Sequence, residues 1–279
     1  MKKRAGIVFS LFFVLLVSAW AKPRGEVTVL YTNDVHTYIA NTVKDANGNK
    51  VPGLSYGSIA ALRDDLKAQG KQVALIDAGD HIQGTAYGTM DNGANIIRFM
   101  NAAKYDLATL GNHEFDYGMG QFENFAKNLK CGYVSCNFRD AVTGQLVLEP
   151  YKILRYGNTK VAFVGVCTPM TLTSSNPLSF RDAQMNTVYD FDGGTAGEEL
   201  RSSIQKAVDS ARKDGADFVI LLAHLGEYKN AVEAWSTPYL VPRLHGIDAV
   251  IDGHSHEVTP SLKIRDRRSE EHTSELQSR

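Results

Sequence analysis

Short β-rich runs alternate with helical patterns along most of this chain, and this alternation constrains its fold more than any other feature. The strand-like runs are Val27–Tyr31, Gln72–Ile76, Leu107–Leu110, Leu146–Arg155, Lys160–Cys167, Phe218–Ala223 and Ala249–Ile251. The helical patterns are Gly57–Gln69, Ala94–Ala103, Gln121–Leu129 and Glu198–Lys213. Phe218–Ala223 and Ala249–Ile251 are wholly apolar, as in strands of a sheet that is covered on both faces. The sequence therefore predicts a single α/β domain, with a hairpin turn at residues 156–158.

The composition is that of a globular protein with balanced charge. Of the 279 residues, 43% are hydrophobic and 22% are charged, which excludes a disordered, collagenous or coiled-coil chain. The 30 Lys and Arg residues nearly equal the 31 Asp and Glu residues. We therefore expect no electrostatic preference for a nucleic acid polymer or a membrane surface.

The first 21 residues have the pattern of a secretory signal peptide. Basic residues at 2–4 precede the apolar run Ile7–Val17, and residues 19–21 read Ala-Trp-Ala. The alternative is a transmembrane anchor, but the apolar run is shorter than the roughly 20 residues that span a bilayer. We expect cleavage after Ala21, which leaves 27 Lys and Arg against 31 Asp and Glu and a net charge near −4. The mature protein would then be periplasmic, extracellular or on the cell surface, with no stable membrane span.

Export permits disulfide bonds, but the chain has only three cysteines. Cys167 ends an apolar run and is expected to be a buried thiol. Cys131 and Cys136 could form a disulfide, but the Gly-Tyr-Val-Ser between them resembles a strand. An extended strand would hold the two cysteines too far apart for a bond. The sequence therefore favours three free, buried thiols.

Residues 268–279 are polar throughout and have no apolar period. They resemble the translation of a sequencing-library adapter, and a natural disordered tail is the alternative. We expect this stretch to be a non-native tail outside the fold. The domain would then comprise residues 22–267, incomplete at its C-terminal end, and the natural protein would be longer than this chain.

Five segments place metal-binding residue types directly after strand-like runs. They are 33–36 (Asn-Asp-Val-His), 79–80 (Gly-Asp), 111–116 (Gly-Asn-His-Glu-Phe-Asp), 223–224 (Ala-His) and 253–256 (Gly-His-Ser-His). Sites in α/β sheets collect at the carboxyl ends of strands, so separate strands can bring these groups to one place. Five of the eight histidines lie in these segments. Packing alone does not explain that clustering.

Taken alone, most of these segments also have a structural interpretation. These are a strand-end turn at Asp34 and His36, a turn at Gly79–Asp80, a helix cap at Asn112 and a buried core histidine at His224. His254 and His256 are a stronger signal, since both rings would point to one side and could bind one metal ion or two adjacent ions. Without a metal site, all of these structural interpretations would have to be correct at the same time, so we favour a common metal site.

The candidate metal ligands are Asp34, His36, Asp80, Asn112, His224, His254 and His256. Imidazole combined with carboxylate suits Zn, Mn, Fe or Co, and the lack of a cysteine set argues against a closed structural zinc site. Seven ligands are too many for one tetrahedral ion but suit two divalent ions that share a carboxylate. Such a pair of ions is typical of hydrolysis at phosphorus.

In this order the motifs resemble those of the calcineurin-like metallophosphoesterase superfamily, within it the bacterial exported branch of 5′-nucleotidases, UDP-sugar hydrolases and 2′,3′-cyclic phosphodiesterases. The finer matches to that branch are the segments 31–36 (Tyr-Thr-Asn-Asp-Val-His), 82–85 (Ile-Gln-Gly-Thr) and 115–116 (Phe-Asp). The resemblance extends from Asp34 to His256. It implies a four-layer α/β/β/α metallophosphoesterase sandwich.

The resemblance also implies a role for each matched residue. Asp34, His36 and His256 would hold the first metal ion, Asn112, His224 and His254 the second, and Asp80 both. His113, oriented by Asp116, would be the catalytic residue that stabilises charge on the phosphoryl group or the leaving oxygen. Asn112 and His113 would also contact the substrate. We expect His81 to line the cleft or face solvent, and Glu114 to support the loop.

By resemblance, the chain would be a two-metal phosphohydrolase of the 5′-nucleotidase type, in which a hydroxide between the ions releases phosphate from nucleoside monophosphates. The alternatives are a 2′,3′-cyclic nucleotide phosphodiesterase with 3′-nucleotidase activity, a nucleotide-sugar pyrophosphatase and, in another class, a non-catalytic metal-binding module. Intact His113 and Asp116 argue against the last. In the resembled enzymes a second, C-terminal domain binds the nucleotide. Nothing after Arg267 in this sequence is expected to do so.

Overall fold

The computed structural model describes residues 25–39, 42–44, 47–227, 232–257, 262–265 and 273–276. The predicted signal peptide, residues 1–21, lies outside these ranges. The strands are β1 (Val27–Thr32), β2 (Thr42–Lys44), β3 (Lys50–Pro52), β4 (Gln72–Asp77), β5 (Leu107–Thr109), β6 (Tyr133–Val134), β7 (Phe138–Asp140), β8 (Tyr151–Tyr156), β9 (Thr159–Cys167), β10 (Tyr189–Phe191), β11 (Phe218–His224), β12 (Ala249–Ile251), β13 (Leu262–Arg265) and β14 (Thr273–Leu276). The α-helices are α1 (Tyr56–Ala68), α2 (Ala86–Met90), α3 (Ala94–Ala103), α4 (Met119–Asn128), α5 (Thr171–Ser174), α6 (Glu198–Lys213) and α7 (Thr237–Leu240).

Two sheets form the centre of the fold. The first has the strand order β1-β4-β5-β6, and all of its strands run parallel. The second has the order β13-β14-β12-β11-β9-β8. Its strands β9, β11, β12 and β14 run parallel, whereas β8 and β13 pair antiparallel with their neighbours. The pairs β2–β3 and β7–β10 lie outside these sheets.

Alternating side chains along the strands assign each face of each sheet to a different layer. In β4, Leu75 packs with residues of α1, α3 and α4, whereas Ile76 packs between the two sheets. In β11, Leu221 packs with residues of α6, whereas Leu222 packs between the sheets. Since successive strand residues point to opposite faces, both faces of each sheet are buried. The four-layer α/β/β/α sandwich expected from the resemblance is confirmed.

The predicted hairpin is confirmed, but its first strand is shorter than expected. β8 pairs antiparallel with β9, and Tyr156 lies opposite Thr159. Residues 146–150 lie outside β8. There the Glu149 carbonyl accepts a hydrogen bond from the Ser135 amide, and Pro150 has no N–H to donate to a ladder. By contrast, α3 and α6 have the predicted bounds.

The expectation that residues 268–279 lie outside the fold does not hold for four of them. Thr273–Leu276 forms β14, which pairs with β12 and β13. Strand pairing uses backbone N–H and C=O groups that a polar residue also carries, so polarity did not prevent pairing beside β12. The other residues of this stretch lie outside the described ranges. Its non-native origin remains a prediction.

The three cysteines are buried and free, as predicted. Cys131 packs in the core between the first sheet and its helices, and Cys136 packs in the core that contains α6. Across the part of the chain that the structure describes, the helices are too short or too polar to cross a membrane.

Candidate metal centre

The candidate ligands from both sheets converge at the carboxyl ends of their strands. Two groups of ligand atoms result, and within each group the atoms all lie within 4.8 Å of one another. One group consists of Asp34, His36, Asp80 and His256, and the other of Asp80, His224 and His254. Asp80 belongs to both groups. This is the arrangement expected of a carboxylate that two ions share.

The backbone at five of these ligands lies in the left-handed region. The φ angle is +47° at Asp34, +45° at His36, +59° at Asp80, +82° at His254 and +54° at His256. Each such residue costs about 1–3 kcal/mol and persists only where the surrounding structure holds it in place. Residues of this kind cluster at functional sites, and here they cluster at the ligands.

Two glycines allow the loops around Asp80 to touch. Gly79 has a φ of +93°, and a Cβ there would lie 2.5 Å from the Gly111 nitrogen. A Cβ on Gly111 would lie 2.2 Å from Asp80 Oδ1. No side chain fits at either position, so the Gly-Asp and Gly-Asn-His segments require glycine where they have it.

His224 lies between a backbone carbonyl and two carboxylates. Its Nδ1 lies 2.7 Å from the Ala78 carbonyl oxygen, which can only accept a hydrogen bond, so Nδ1 donates. Its Nε2 faces Asp80 Oδ2 at 3.0 Å and Asp34 Oδ1 at 3.9 Å, without hydrogen-bond geometry to either. Burial opposes a charge on the ring, but the Asp80 carboxylate raises the pKa of His224 to about 10. The two carboxylates therefore favour a cation at Nε2, either a proton or a metal ion.

Three buried atoms of the candidate ligands have no hydrogen-bond partner among the described residues, namely Asn112 Oδ1, His224 Nε2 and His254 Nε2. A buried polar atom without a partner costs about 1–3 kcal/mol, and a metal ion would provide the partner. Burial lowers the pKa of His254 to about 4, which keeps its imidazole in the neutral form that binds metals. The donor set of these three residues therefore fits a metal ion.

His36 and His256 form the accessible side of the centre. His36 Nδ1 lies 3.0 Å from the Gln83 carbonyl oxygen and donates to it, so Nε2 is the atom available to a metal ion. That Nε2 lies 3.0 Å from His256 Nε2 and 3.8 Å from Asp80 Oδ2. His256 Nε2 lies 3.4 Å from Asp34 Oδ1, and the His256 side chain is 58% exposed. The first ligand group is therefore open to solvent on its His256 side.

His113 contacts both Asp116 and Asp80. Its Nδ1 lies 2.6 Å from Asp116 Oδ2, and its backbone N–H donates to Asp80 Oδ1 at 2.8 Å. Burial opposes a charge on the ring, but the hydrogen bond to Asp116 raises the pKa of His113 above its usual value. The His113 side chain is 28% exposed. An imidazole that readily takes a positive charge thus lies beside Asp80 and within reach of solvent.

The buried Glu114 carboxylate gathers backbone amides from both loops around Asp80. Its Oε2 accepts hydrogen bonds from the amides of Asp80 at 2.9 Å and Gly111 at 2.5 Å, and its Oε1 accepts from the His81 amide at 2.9 Å. The expectation that Glu114 supports the loop agrees with these contacts.

The expectation that His81 lines the cleft or faces solvent is wrong, because its side chain is fully buried. His81 Nδ1 lies 2.8 Å from Asp77 Oδ1, and Nε2 lies 2.8 Å from the Tyr133 hydroxyl. A buried carboxylate such as Asp77 needs polar partners, and His81 is one of them. Burial opposes a charge on His81, but Glu114 and Asp77 raise its pKa to about 9. The sequence signal that a buried polar partner was needed here was Asp77, an aspartate inside the apolar run 73–78.

The partly buried Asp252 carboxylate plays a comparable part on the second sheet, and sequence analysis missed it. Its Oδ1 accepts hydrogen bonds from the amides of Leu225 at 2.9 Å, Gly226 at 3.2 Å and Gly253 at 2.8 Å. Its Oδ2 accepts from the Thr237 hydroxyl at 2.5 Å. Burial raises the pKa of Asp252. The available signal was an aspartate directly after the apolar run 249–251.

Comparison with known proteins gives consistent matches. The family described as "Calcineurin-like phosphoesterase" matches residues 27–258. A snake venom 5′-nucleotidase of Naja atra is 32% identical over 244 residues, covering 83% of this chain and 41% of that protein. A 2′,3′-cyclic-nucleotide 2′-phosphodiesterase/3′-nucleotidase of Haemophilus influenzae is 30% identical over 293 aligned positions, covering 95% of this chain and 42% of that protein.

A solved structure gives the same picture. The crystal structure of a 5′-nucleotidase precursor from Thermus thermophilus matches with a TM-score of 0.74 at 27% sequence identity, covering 90% of this chain and 48% of that one. The chain spans about two fifths of the length of the curated relatives described above.

Proposed function

The chain belongs to the calcineurin-like phosphoesterase family, and from this premise we propose that it is a metal-dependent hydrolase of nucleotide phosphoesters, of the 5′-nucleotidase type. One observation carries this proposal, namely that ligands from two sheets form two groups that share Asp80. The 5′-nucleotidase relatives support nucleoside monophosphates as substrates. A non-catalytic metal-binding module would need neither His113 nor its contact with Asp116.

The proposal assigns seven residues to two divalent ions. Asp34, His36 and His256 would hold one ion, Asn112, His224 and His254 the other, and Asp80 both. Bound there, the ions would lower the pKa of a coordinated water to about 7 and neutralise charge on a phosphoryl oxygen. The neutral Asn112 limits the negative charge of a site that must accept a phosphate.

His113 has the geometry of a residue that stabilises developing negative charge. Its Nδ1 is held by Asp116 at 2.6 Å, so Nε2 is the atom left to donate to a phosphoryl or leaving oxygen. The Asp116 carboxylate also favours the positively charged form of the ring. A fixed donor of this kind typically contributes about 10²–10³-fold to the rate.

A second candidate activity is the hydrolysis of 2′,3′-cyclic nucleotides. It is supported by the Haemophilus influenzae relative, whose match covers 95% of this chain. We also propose that residues 1–21 direct export, that the phosphoesterase domain begins at residue 22, and that a C-terminal domain selects the nucleotide in the natural protein.

The activity is tested by hydrolysis of bis(p-nitrophenyl) phosphate, AMP and 2′,3′-cyclic AMP in the presence of Mn²⁺. We expect turnover of the aryl diester that EDTA abolishes and that Asp80→Ala and His113→Ala each remove. His245→Ala is the matched control, since that histidine is 49% exposed and contacts Asp209 rather than the ligand groups. A folded chain that binds Mn²⁺ but turns over none of the three substrates would refute the proposal. The ratio of AMP to cyclic AMP turnover decides between the two candidate activities.

A further inference from the structure

His81, Asp77 and Tyr133 form a buried hydrogen-bonded group next to the shared ligand Asp80. The side chains of His81 and Asp77 are fully buried, and Tyr133 is nearly so. The His81 ring donates or accepts at both nitrogens, toward Asp77 Oδ1 and the Tyr133 hydroxyl, each at 2.8 Å. It also stacks on the Tyr133 ring, with centroids 5.7 Å apart and planes at 9°. None of the three residues belongs to either ligand group.

Two carboxylates that neighbour His81 hold three successive amides of the Asp80 loop. Asp77 Oδ1 accepts from the Gly79 amide at 3.0 Å, and Glu114 accepts from the amides of Asp80 and His81, each at 2.9 Å. His81 Nδ1 lies 2.8 Å from Asp77 Oδ1 and 3.5 Å from Glu114 Oε1. The imidazole therefore lies between the two carboxylates that hold the loop.

The Asp80 backbone needs this support. Its φ of +59° is unfavourable for a residue with a side chain, so the amide contacts must keep it there. Two carboxylates buried side by side repel each other unless a donor lies between them. Removal of the imidazole would let Asp77 and Glu114 move, and the amides that they hold would move with them.

We propose that His81 is a positioning residue that fixes the Asp77 and Glu114 carboxylates and, through them, the place of the Asp80 carboxylate between the two ligand groups. The inference rests on one part of the proposed function, that Asp80 is a shared metal ligand. Since Asp80 belongs to both groups, a displaced carboxylate should weaken metal binding at both. A residue with a purely structural role would lower stability without this effect.

Co²⁺ titration of the full chain, followed by visible absorption and calorimetry, tests the proposal. His81→Phe keeps a ring and removes both ring hydrogen bonds, whereas His81→Asn keeps a donor near Asp77. We expect His81→Phe to weaken Co²⁺ binding about 10–100-fold at both groups and to change the absorption spectrum, and His81→Asn to restore part of the affinity. Tyr133→Phe, which keeps the stacked ring, should weaken binding less than His81→Phe.

Val208→Ala is the matched control, because Val208 is fully buried in the core with α6 and contacts none of the ligands. It should lower Tm and leave Co²⁺ affinity unchanged. The inference would be overturned if His81→Phe bound Co²⁺ with unchanged affinity. If His81→Phe does not fold, unchanged affinity in both His81→Asn and Tyr133→Phe would overturn it instead. A wild-type chain that binds no Co²⁺ would overturn it together with the role of Asp80. Loss of Co²⁺ binding in His81→Phe would support the inference even if no substrate is hydrolysed. The absence of hydrolysis would refute only the proposed hydrolase activity.

Discussion

The two sheets contribute to the candidate metal centre in different ways. In the first sheet, the loop that carries Asp80 is held by two buried carboxylates, Asp77 and Glu114, with the buried His81 between them. In the second sheet, the loops that carry His224 and His254 are held by one partly buried carboxylate. That carboxylate, Asp252, contacts three amides and a hydroxyl.

The difference indicates which half of the candidate metal centre, the part on the first sheet or the part on the second, depends more on the charge of its supporting carboxylates. A carboxylate that contacts both amides and an imidazole loses two kinds of partner when it is neutralised, and the imidazole is left in a buried site. A carboxylate that contacts only amides and a hydroxyl can be replaced by an amide, because one oxygen still accepts and the NH₂ group can donate to the hydroxyl. The first half should therefore be the more sensitive one.

Glu114→Gln should have the largest effect. A glutamine has one accepting oxygen, so its NH₂ group would face a backbone N–H that Glu114 now accepts from. We expect a loss of about 3–5 kcal/mol in the free energy of unfolding, the range for a broken buried ion pair. Denaturant titration by circular dichroism measures it. A loss below that of Asp252→Asn would reverse the proposed order of the two halves.

His113→Gln tests a residue of the first half that is not a proposed ligand. We expect kcat for the aryl phosphodiester to fall about 10²–10³-fold, the usual effect of removing one fixed donor, while the bound metal content stays the same. Steady-state kinetics and elemental analysis of the same sample provide the measurement. Loss of metal along with activity would instead make His113 a ligand or a support of the ligands.

Asp252→Asn should have a milder effect than Glu114→Gln. Oδ1 can keep its three amides, and the new NH₂ group can donate to the Thr237 hydroxyl in place of the present contact. We expect a loss of about 1 kcal/mol, in the range of a single altered hydrogen bond, and little change in metal affinity. Chemical denaturation and Co²⁺ titration check both. A change as large as that of Glu114→Gln would abolish the contrast between the halves.

Thiol labelling should show the smallest effect. It compares the core of the first sheet and its helices, which contains Cys131, with the core that contains α6 and Cys136. Burial raises the pKa of Cys131 to about 12 and raises that of Cys136 as well. At pH 8 a pKa near 12 leaves about one Cys131 thiol in ten thousand as the reactive thiolate. Labelling with Ellman's reagent should therefore be slow in the native chain at both cysteines, and should reach three thiols in guanidinium. Rapid labelling of Cys131 alone would reveal a looser core on the first-sheet side.

Much of the fold and the candidate ligands could be predicted from the sequence for a physical reason. The ligands follow strand-like runs directly, and the carboxyl ends of parallel strands meet at one edge. Asp34 and Asp80 follow neighbouring strands of the first sheet, so their approach was predictable, whereas His224 ends β11 of the second sheet and reaches them through the packing of the two sheets. The bounds of α3 and α6 were also predictable, since both have a clear apolar face.

The groups that support the ligands were not predictable in the same way. His81 follows Asp80 in sequence, yet its environment depends on Tyr133, which lies 52 residues away on strand β6. Asp252 contacts Leu225 and Thr237 only because β11 and β12 are neighbours in the sheet. Such partners are set by tertiary packing, and in the sequence they appear only as charged residues within or beside apolar runs.

The metal content of the purified chain tests the central claim most directly. After loading with Mn²⁺ or Zn²⁺ and removal of excess ions, elemental analysis should find two ions per wild-type chain and close to one in His224→Ala. Asp80→Ala should lose affinity for both ions, because Asp80 belongs to both ligand groups. A wild-type chain without bound metal, or an Asp80→Ala variant that retains two ions, would contradict a shared two-ion centre.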